Sequence, residues 1–280
     1  MATLYNRDIR VIAGPLTIAP RTTSGEAQPM LALTFKVDKD DGREPNKAKL
    51  NIWNLTATNR AKLQEKGLEV IIEAGYVDEI VQIFKGDIAT STITRDAVDW
   101  VTELELTDGG RQLKSARINE SFRGGQPIGQ MLKKAADALG LDAGNLAEKV
   151  ASDGARSVLK ELISSVVLSG SAADVVDKLA ADMGLKFSVQ DKQLTFLAKD
   201  EPLPGPAVKL SAGTGLIGSP SIGEKGIVKA KALLNGRIVP GRKVELESVV
   251  ASGTYVARKV RHSGATWGSD WTTTLEMKAL

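Results

Sequence analysis

The chain has 280 residues, 42% of them hydrophobic and 25% charged, with no cysteine and a single histidine. That length suits two or three domains at about 100–200 residues each, and the lack of cysteine excludes a disulfide framework or a thiolate metal site. A formal net charge of +3 is too small to argue for nucleic acid or an anionic membrane by itself, and no apolar run approaches the ~20 residues of a membrane-spanning helix.

Aromatic residues make up only 4% of the chain, so cores must be built mainly from Val, Ile, Leu and Ala. Met1–Val11 has no basic region leading into an apolar core, and no leader peptide is expected. From Leu4 to about Phe122 the pattern is mostly β. Leu31, Leu33, Phe35 and Val37 alternate with polar residues, as do Leu50 and Ile52, and again Leu68, Val70, Ile72, Ala74 and Tyr76. Ile80–Thr94 reads as one long strand, Arg95–Asp99 as a turn, and the return strand sets Trp100, Thr102, Leu104 and Leu106 against Glu103 and Glu105 on the opposite face. A short helix is predicted over Asn59–Lys66, capped by Thr56 or Thr58 and stopped by Gly67. Between two strands of a barrel, such a helix serves as a plug.

After Gly124-Gly125 the period changes. Ile128, Met131, Leu132, Ala135, Ala136 and Leu139 have helical spacing over Pro127–Leu139. Further helices are predicted over Val158–Val167 and over Ser171–Met183, the latter capped by Ser171 and ended by Gly184. Lys186–Gln190 and Gln193–Leu197 form a hairpin around Asp191-Lys192. Three prolines in Glu201–Pro206 mark a linker. Strands return at Val208–Ser211, Gly226–Leu234, Lys243–Ser248, Thr254–Arg261 and Trp271–Lys278. The expected fold class is mainly β with an α/β insert: a β-barrel over 1–123, a small α/β unit over 124–205, and a second β-barrel over 206–280. On Trp271–Lys278 the aromatic ring faces the same way as Leu275 and Met277, so Trp271 and Tyr255 are expected to be core residues.

Residues suited to chemistry are few. His262 stands beside Arg261 at a strand end, where a structural hydrogen bond is the expected role. Asp38, Asp40 and Asp41 precede Gly42 without the ligand spacing or distal Glu of a calcium loop. Gly213-Thr214-Gly215 and Gly124-Gly125 are not followed by the Lys-Ser/Thr of a phosphate loop. No catalytic, cofactor-binding or metal-binding residue is assigned, and no enzyme activity is expected.

Charge is unevenly distributed. Between Glu69 and Asp108 ten acids stand against Lys85 and Arg95, and between Gly226 and Arg261 eight bases stand against Glu245 and Glu247. These are either two solvated strand faces or complementary contacts between neighbouring subunits. The second case makes Glu103, Glu105, Arg258 and Lys259 candidate interface residues. The basic strands lack the interleaved aromatics of a base-stacking platform.

The order of short motifs resembles the baseplate and tail hub proteins of tailed phages, the late control protein D-like hubs of contractile tails and related injection systems. The first β region carries LNIWNLTATNRAKL, then Gly75 and Tyr76 of an Ala-Gly-Tyr strand, Phe84 and Gly86 of IFKGDI, and Asp108-Gly109. The last region carries GLIGSP from Gly215, Asn235-Gly236, Pro240-Gly241, Gly253-Thr254-Tyr255, His262 in VRHSG, and Trp271 in WTTTL. The resemblance implies two tube-protein-like barrels per subunit and a homotrimer that mimics six-fold symmetry towards the tail tube and offers three-fold symmetry to a central spike. It implies a tail tube or distal tail protein, the spike and a tape-measure protein as partners, with the genome passing through the lumen unbound. It also implies a place in the virion baseplate, reached by assembly in the host cytoplasm. Gly75, Tyr76, Phe84, Gly86, Gly241, Tyr255, His262 and Trp271 become its structural signature. The chain is compact for such a hub, and no appended lysozyme or peptidase segment is expected. The competing expectations are a peptidoglycan-degrading or wall-binding tail protein, and another tube-fold tail component such as a tube or distal tail protein, though a tube subunit needs one barrel rather than two.

Overall fold

The structure is a computed structural model that describes residues 6–18, 31–77, 79–124, 126, 128–151 and 165–280. In chain order the strands are β1 (Arg7–Ala13), β2 (Leu16–Ile18), β3 (Leu33–Asp40), β4 (Lys47–Trp53), β5 (Glu69–Tyr76), β6 (Glu79–Asp96), β7 (Asp99–Thr107), β8 (Arg117–Phe122), β9 (Val166–Ser171), β10 (Leu185–Gln190), β11 (Gln193–Ala198), β12 (Val208–Leu210), β13 (Leu216–Ile222), β14 (Ile227–Leu233), β15 (Lys243–Leu246), β16 (Gly253–Ala265) and β17 (Trp271–Ala279). The helices are α1 (Ala57–Lys62), α2 (Gly110–Ser115), α3 (Ile128–Leu139), α4 (Leu146–Ala151) and α5 (Ala172–Asp182). The chain divides into two compact units. One comprises Met1–Asp40, Asn46–Thr107 and Pro202–Leu280, and the other Asp41–Pro45 and Asp108–Glu201.

In the β unit, alternation in the sequence becomes alternation in burial. Leu33, Phe35 and Val37 of β3, Leu50 and Ile52 of β4, and Val70, Ile72 and Ala74 of β5 are all buried, while the residues between them reach solvent or are half-buried. The helix α1 is shorter than expected. Thr56 caps it by accepting from the Asn59 amide, and it ends at Leu63, which is fully buried. Gly67 follows in a left-handed turn at φ 80.

The two separate barrels expected from the sequence are not what the strands form. Their pairing makes one 13-stranded sheet in the order β13-β14-β17-β16-β3-β4-β7-β6-β5-β1-β2, with β12 and β15 branching from β16. No pairing among the described residues closes this path into a barrel. The junction is β16 with β3, antiparallel from Lys259↔Asp40 to Ala265↔Thr34. Once β4 has paired one edge of β3, its other edge still presents amides and carbonyls that need partners, and β16 supplies them. β13, unexpected from the sequence, is the outermost strand at one end, and it holds Pro220 and a register shift between Ile217 and Ser221. Proline is tolerated there because an edge strand leaves one row of amides unpaired anyway.

The second unit gathers one apolar core between α3, α5 and the hairpin of β10 and β11. Ser171 caps α5 by accepting from the Asp174 amide, as its position implied. The predicted break at Gly124 falls inside this unit rather than at its start. β8 pairs β9 from Arg117↔Ser171 to Phe122↔Val166, so the partition begins at Asp108. Of the predicted helix over Val158–Val167, residues 158–164 lie outside the described residues, and Val166 and Val167 belong to β9. Within the unit Arg43 reaches the carboxylates of Asp174 and Asp177, and the Asp174 carboxyl is held below its ordinary range by the hydrogen bond from Arg43. Among the described residues no helix is long and apolar enough to cross a membrane.

Candidate assembly surface

The residues picked out as a structural signature fall mostly on one seam, where the strands of the first β region meet those of the last. Trp271 is 1% exposed and sits edge-on to Phe35, with ring centroids 5.3 Å apart and planes at 84°. Its indole Nε1 donates to the carbonyl of Gly75 at 3.1 Å. The Arg7 guanidinium lies 5.7 Å from the same ring and donates to the Gly268 carbonyl at 2.8 Å. Gly264, paired with both Phe35 and Trp271, makes room for this contact: a Cβ there would stand 2.6 Å from atoms of each ring. At Gly75 a Cβ would stand 2.1 Å from the Glu79 carbonyl, so the tight β5–β6 hairpin requires the bare backbone. Tyr76 and Phe84 are buried in the same core, and Gly86 is paired with Val70 beside them. Gly241 and Tyr255 belong instead to the last β region. The Gly241 amide donates to the Ala257 carbonyl at 2.7 Å, and Tyr255 joins the core of Val228, Leu246 and Met277. Trp271, Leu275 and Met277 are all buried on one face of β17, which therefore serves both cores of the unit.

His262 is fully buried on β16 between Val37 and Thr273. Its Nδ1 lies 2.9 Å from the Thr273 hydroxyl, and its Nε2 has no hydrogen-bond partner. Burial, reinforced by the charge of Lys39 and opposed by the Ile238 backbone, pushes its pKa down to about 3. The imidazole is therefore neutral throughout the physiological range, where it serves as a packed polar group.

The four candidate interface residues lie closer together than the sequence suggests. The face of the sheet opposite the core carries Lys259 and Arg261 on β16, Lys36, Asp38 and Asp40 on β3, Lys47 and Lys49 on β4, and Glu103 and Glu105 on β7. Glu105 and Lys259 are exposed, and Glu103 is half-buried. Arg258, also half-buried, is the extra residue of a bulge between Ala257 and Lys259. Part of the charge is matched within the chain. Glu103 meets Lys49 at 2.8 Å, Arg261 meets Asp38, and Arg237 meets Glu79 at 2.6 Å. Arg261–Asp38 crosses the β16–β3 pairing, and Arg237–Glu79 joins the basic region to the acidic one inside one subunit. The sequence did not show this, because both pairs are long-range, the first of them made by the β16–β3 pairing. At such exposed positions each pair is worth about 0–1 kcal/mol.

Trp100, expected on the inner face, lies instead near the tip of the β6–β7 hairpin at 39% exposure. Arg60 covers its ring at 4.5 Å. It stands beyond the last core position of β7.

The chain matches the family model described as baseplate hub gp41 over residues 28–277. No curated protein sequence matches it. Among solved structures, the 43 kDa tail protein of prophage MuSo2 from Shewanella oneidensis is similar at TM-score 0.67 and 10% identity, over 98% of this chain and 97% of that one. A tail protein from Neisseria meningitidis is similar at TM-score 0.64 and 11% identity, over 98% and 97%. A type VI secretion component of E. coli, described as structurally similar to the T4 tail proteins gp27 and gp5, is similar at TM-score 0.57 and 12% identity, over 96% and 76%. At these identities the likeness shows the fold.

Proposed function

The chain belongs to the baseplate hub gp41 family, and on that premise we propose that three copies close into a ring that adapts a six-fold tail tube to a three-fold central spike. It is a structural protein of a phage tail, and its place is the baseplate. The observation that carries the ring is the extent of the family match, which takes in Asp108–Glu201 of the helical unit and the long sheet from β3 into β17. The two halves of that sheet, β1–β7 and β12–β17, act as the two tube-like modules of each subunit, so three subunits present six modules to the tube. Closed rotational symmetry is the usual outcome for subunits that offer sheet edges and faces to copies of themselves. Contact between subunits runs between Glu103 and Glu105 of one copy and Arg258 and Lys259 of the next. The partners are the tube or a distal tail protein on one side and the spike on the other, with the tape-measure protein and genome in the lumen. The role is mechanical, and no residue is assigned to catalysis.

Mass measurement on the purified protein, alone and with its tube and spike partners, followed by imaging, tests this. The expected result is a species of three subunits with a central hole. A monomer under all these conditions, or a ring of another count, overturns it.

A further inference from the structure

The last β region contains a groove of about 860 Å³, a size that suits a bound ligand or an inserted loop. Its apolar walls are Pro206, Ala207, Val208 and Val239, and its charged lining is Lys209, Arg237 and Arg242, with no carboxylate among the lining residues. Arg242 uses one of its donors on the Pro204 carbonyl at 2.7 Å, and Arg237 meets Glu79 at 2.6 Å. Each guanidinium carries five N–H donors, so both keep donors to offer. β12, which supplies Val208 and Lys209, pairs only with β15 among the described residues.

The same β unit carries a protrusion of matching chemistry. The β6–β7 hairpin turns at Asp96-Ala97-Val98-Asp99. Ala97 is held at φ 51, a left-handed conformation uncommon for a residue other than glycine. The turn thrusts Val98 into solvent at 81% exposure, between two carboxylates. The two nearby cations both stack on the Trp100 ring, Arg60 at 4.5 Å and Arg95 at 5.8 Å. Asp99 is held by Asn54 at 2.8 Å, which fixes the turn. Insertion of this tip into an apolar groove would bury the exposed Val98 side chain, which the rigid left-handed turn holds out ready to dock.

The geometry points to the groove as the seat of this hairpin tip from a second copy, with Val98 against Val208 and Val239, and Asp96 facing Lys209 and the two arginines. The contact is heterologous, hairpin to groove, so it propagates around a ring instead of closing a two-fold pair. It rests on the ring of the proposed function and assigns one of its joints.

Because the chain has no cysteine, a disulfide trap reports this joint without background from native thiols. Val98→Cys and Val239→Cys are introduced together and oxidised with diamide under conditions where the wild-type ring is seen by mass. The expected result is a ladder of covalent oligomers ending at the ring size, at a yield at least five-fold above Val98→Cys alone, which gives tip-to-tip dimers only. An equimolar mixture of the two single variants yields cross-linked pairs that need one subunit of each kind. Adding Asp96→Lys lowers the yield at least five-fold, and a further Lys209→Asp restores part of it. A ring of normal mass whose cross-linking stays at the level of Val98→Cys alone overturns the joint and leaves the ring standing. Failure of the wild-type protein to form any ring overturns both.

Discussion

Replacing Trp271 by alanine removes the largest fully buried side chain of the β unit. Three losses follow from its geometry. Truncating a buried Trp costs about 3–5 kcal/mol in transfer and cavity terms, and here it also removes the edge contact to Phe35 at 5.3 Å. The Gly75 carbonyl, which accepts from Nε1 at 3.1 Å, is left in the seam without that donor, a further penalty of about 1–3 kcal/mol. The combined destabilisation is about 4–8 kcal/mol, a large part of the 5–15 kcal/mol that holds an ordinary domain together. For a unit of this size each kcal/mol moves Tm by about 2–4 °C, so a fall of roughly 8–30 °C is expected. Scanning calorimetry measures it, with Trp267→Ala as the internal comparison. Trp267 is 48% exposed and contacts Trp53 edge-on at 5.0 Å, so its loss should cost no more than about 1.5 kcal/mol. Trp271→Phe keeps a ring against Phe35 but not the N–H, and should fall between the two. A Trp271→Ala shift no larger than that of Trp267→Ala refutes the seam as a principal source of stability.

His262 has a folded pKa near 3 against 6.5 for a free imidazole, so the unfolded chain binds the extra proton between those values. Stability is complete above pH 6.5 and falls as pH drops towards 3, by about 2 kcal/mol between pH 8 and pH 5. Urea unfolding at those two pH values measures it, and His262→Asn should flatten this component; an unchanged slope in the variant removes His262 as its cause. Reversing Arg258 and Lys259 to Glu should lower the fraction of protein in rings, most strongly at low salt, since salt screens the lost attraction over ~10 Å at 0.1 M. Adding Glu103→Lys and Glu105→Lys should restore part of it, less what Glu103→Lys loses beside Lys49. Ring formation unaffected by the reversal from low to high salt leaves these charges as solvated faces.

The signals that proved legible were local ones. Leu33-Phe35-Val37 and Val70-Ile72-Ala74 announced which face of each strand is buried, because a period of two needs no knowledge of partners. Ser171 announced its helix by the same kind of short-range chemistry. The pairing of β16 with β3 was illegible, since Lys259 and Asp40 face each other across most of the chain and neither carries a local mark of it. Two β regions separated by helices therefore read as two barrels. β13 was hidden by Pro220 and Gly218, which signal a turn in isolation and are accommodated by an edge. The candidate interface suffered from the same limit. Counting acids over 69–108 and bases over 226–261 left out Lys36, Lys47 and Lys49, which the sheet places between the two sets.

The β16–β3 junction also sets an order of events during synthesis. β3 ends at Asp40, and its partner strand begins at Gly253. At about 5–20 residues per second, the ribosome needs roughly 10–40 s to supply the second after the first. For that interval one edge of β3 lacks its native neighbour, whereas Asp108–Glu201, a compact unit in the finished protein, is already translated. Long-range strand pairing is slow and leaves unpaired edges exposed. The hub surface is thus completed late, and a nascent chain cannot present the finished sheet to another copy before its own central joint has formed.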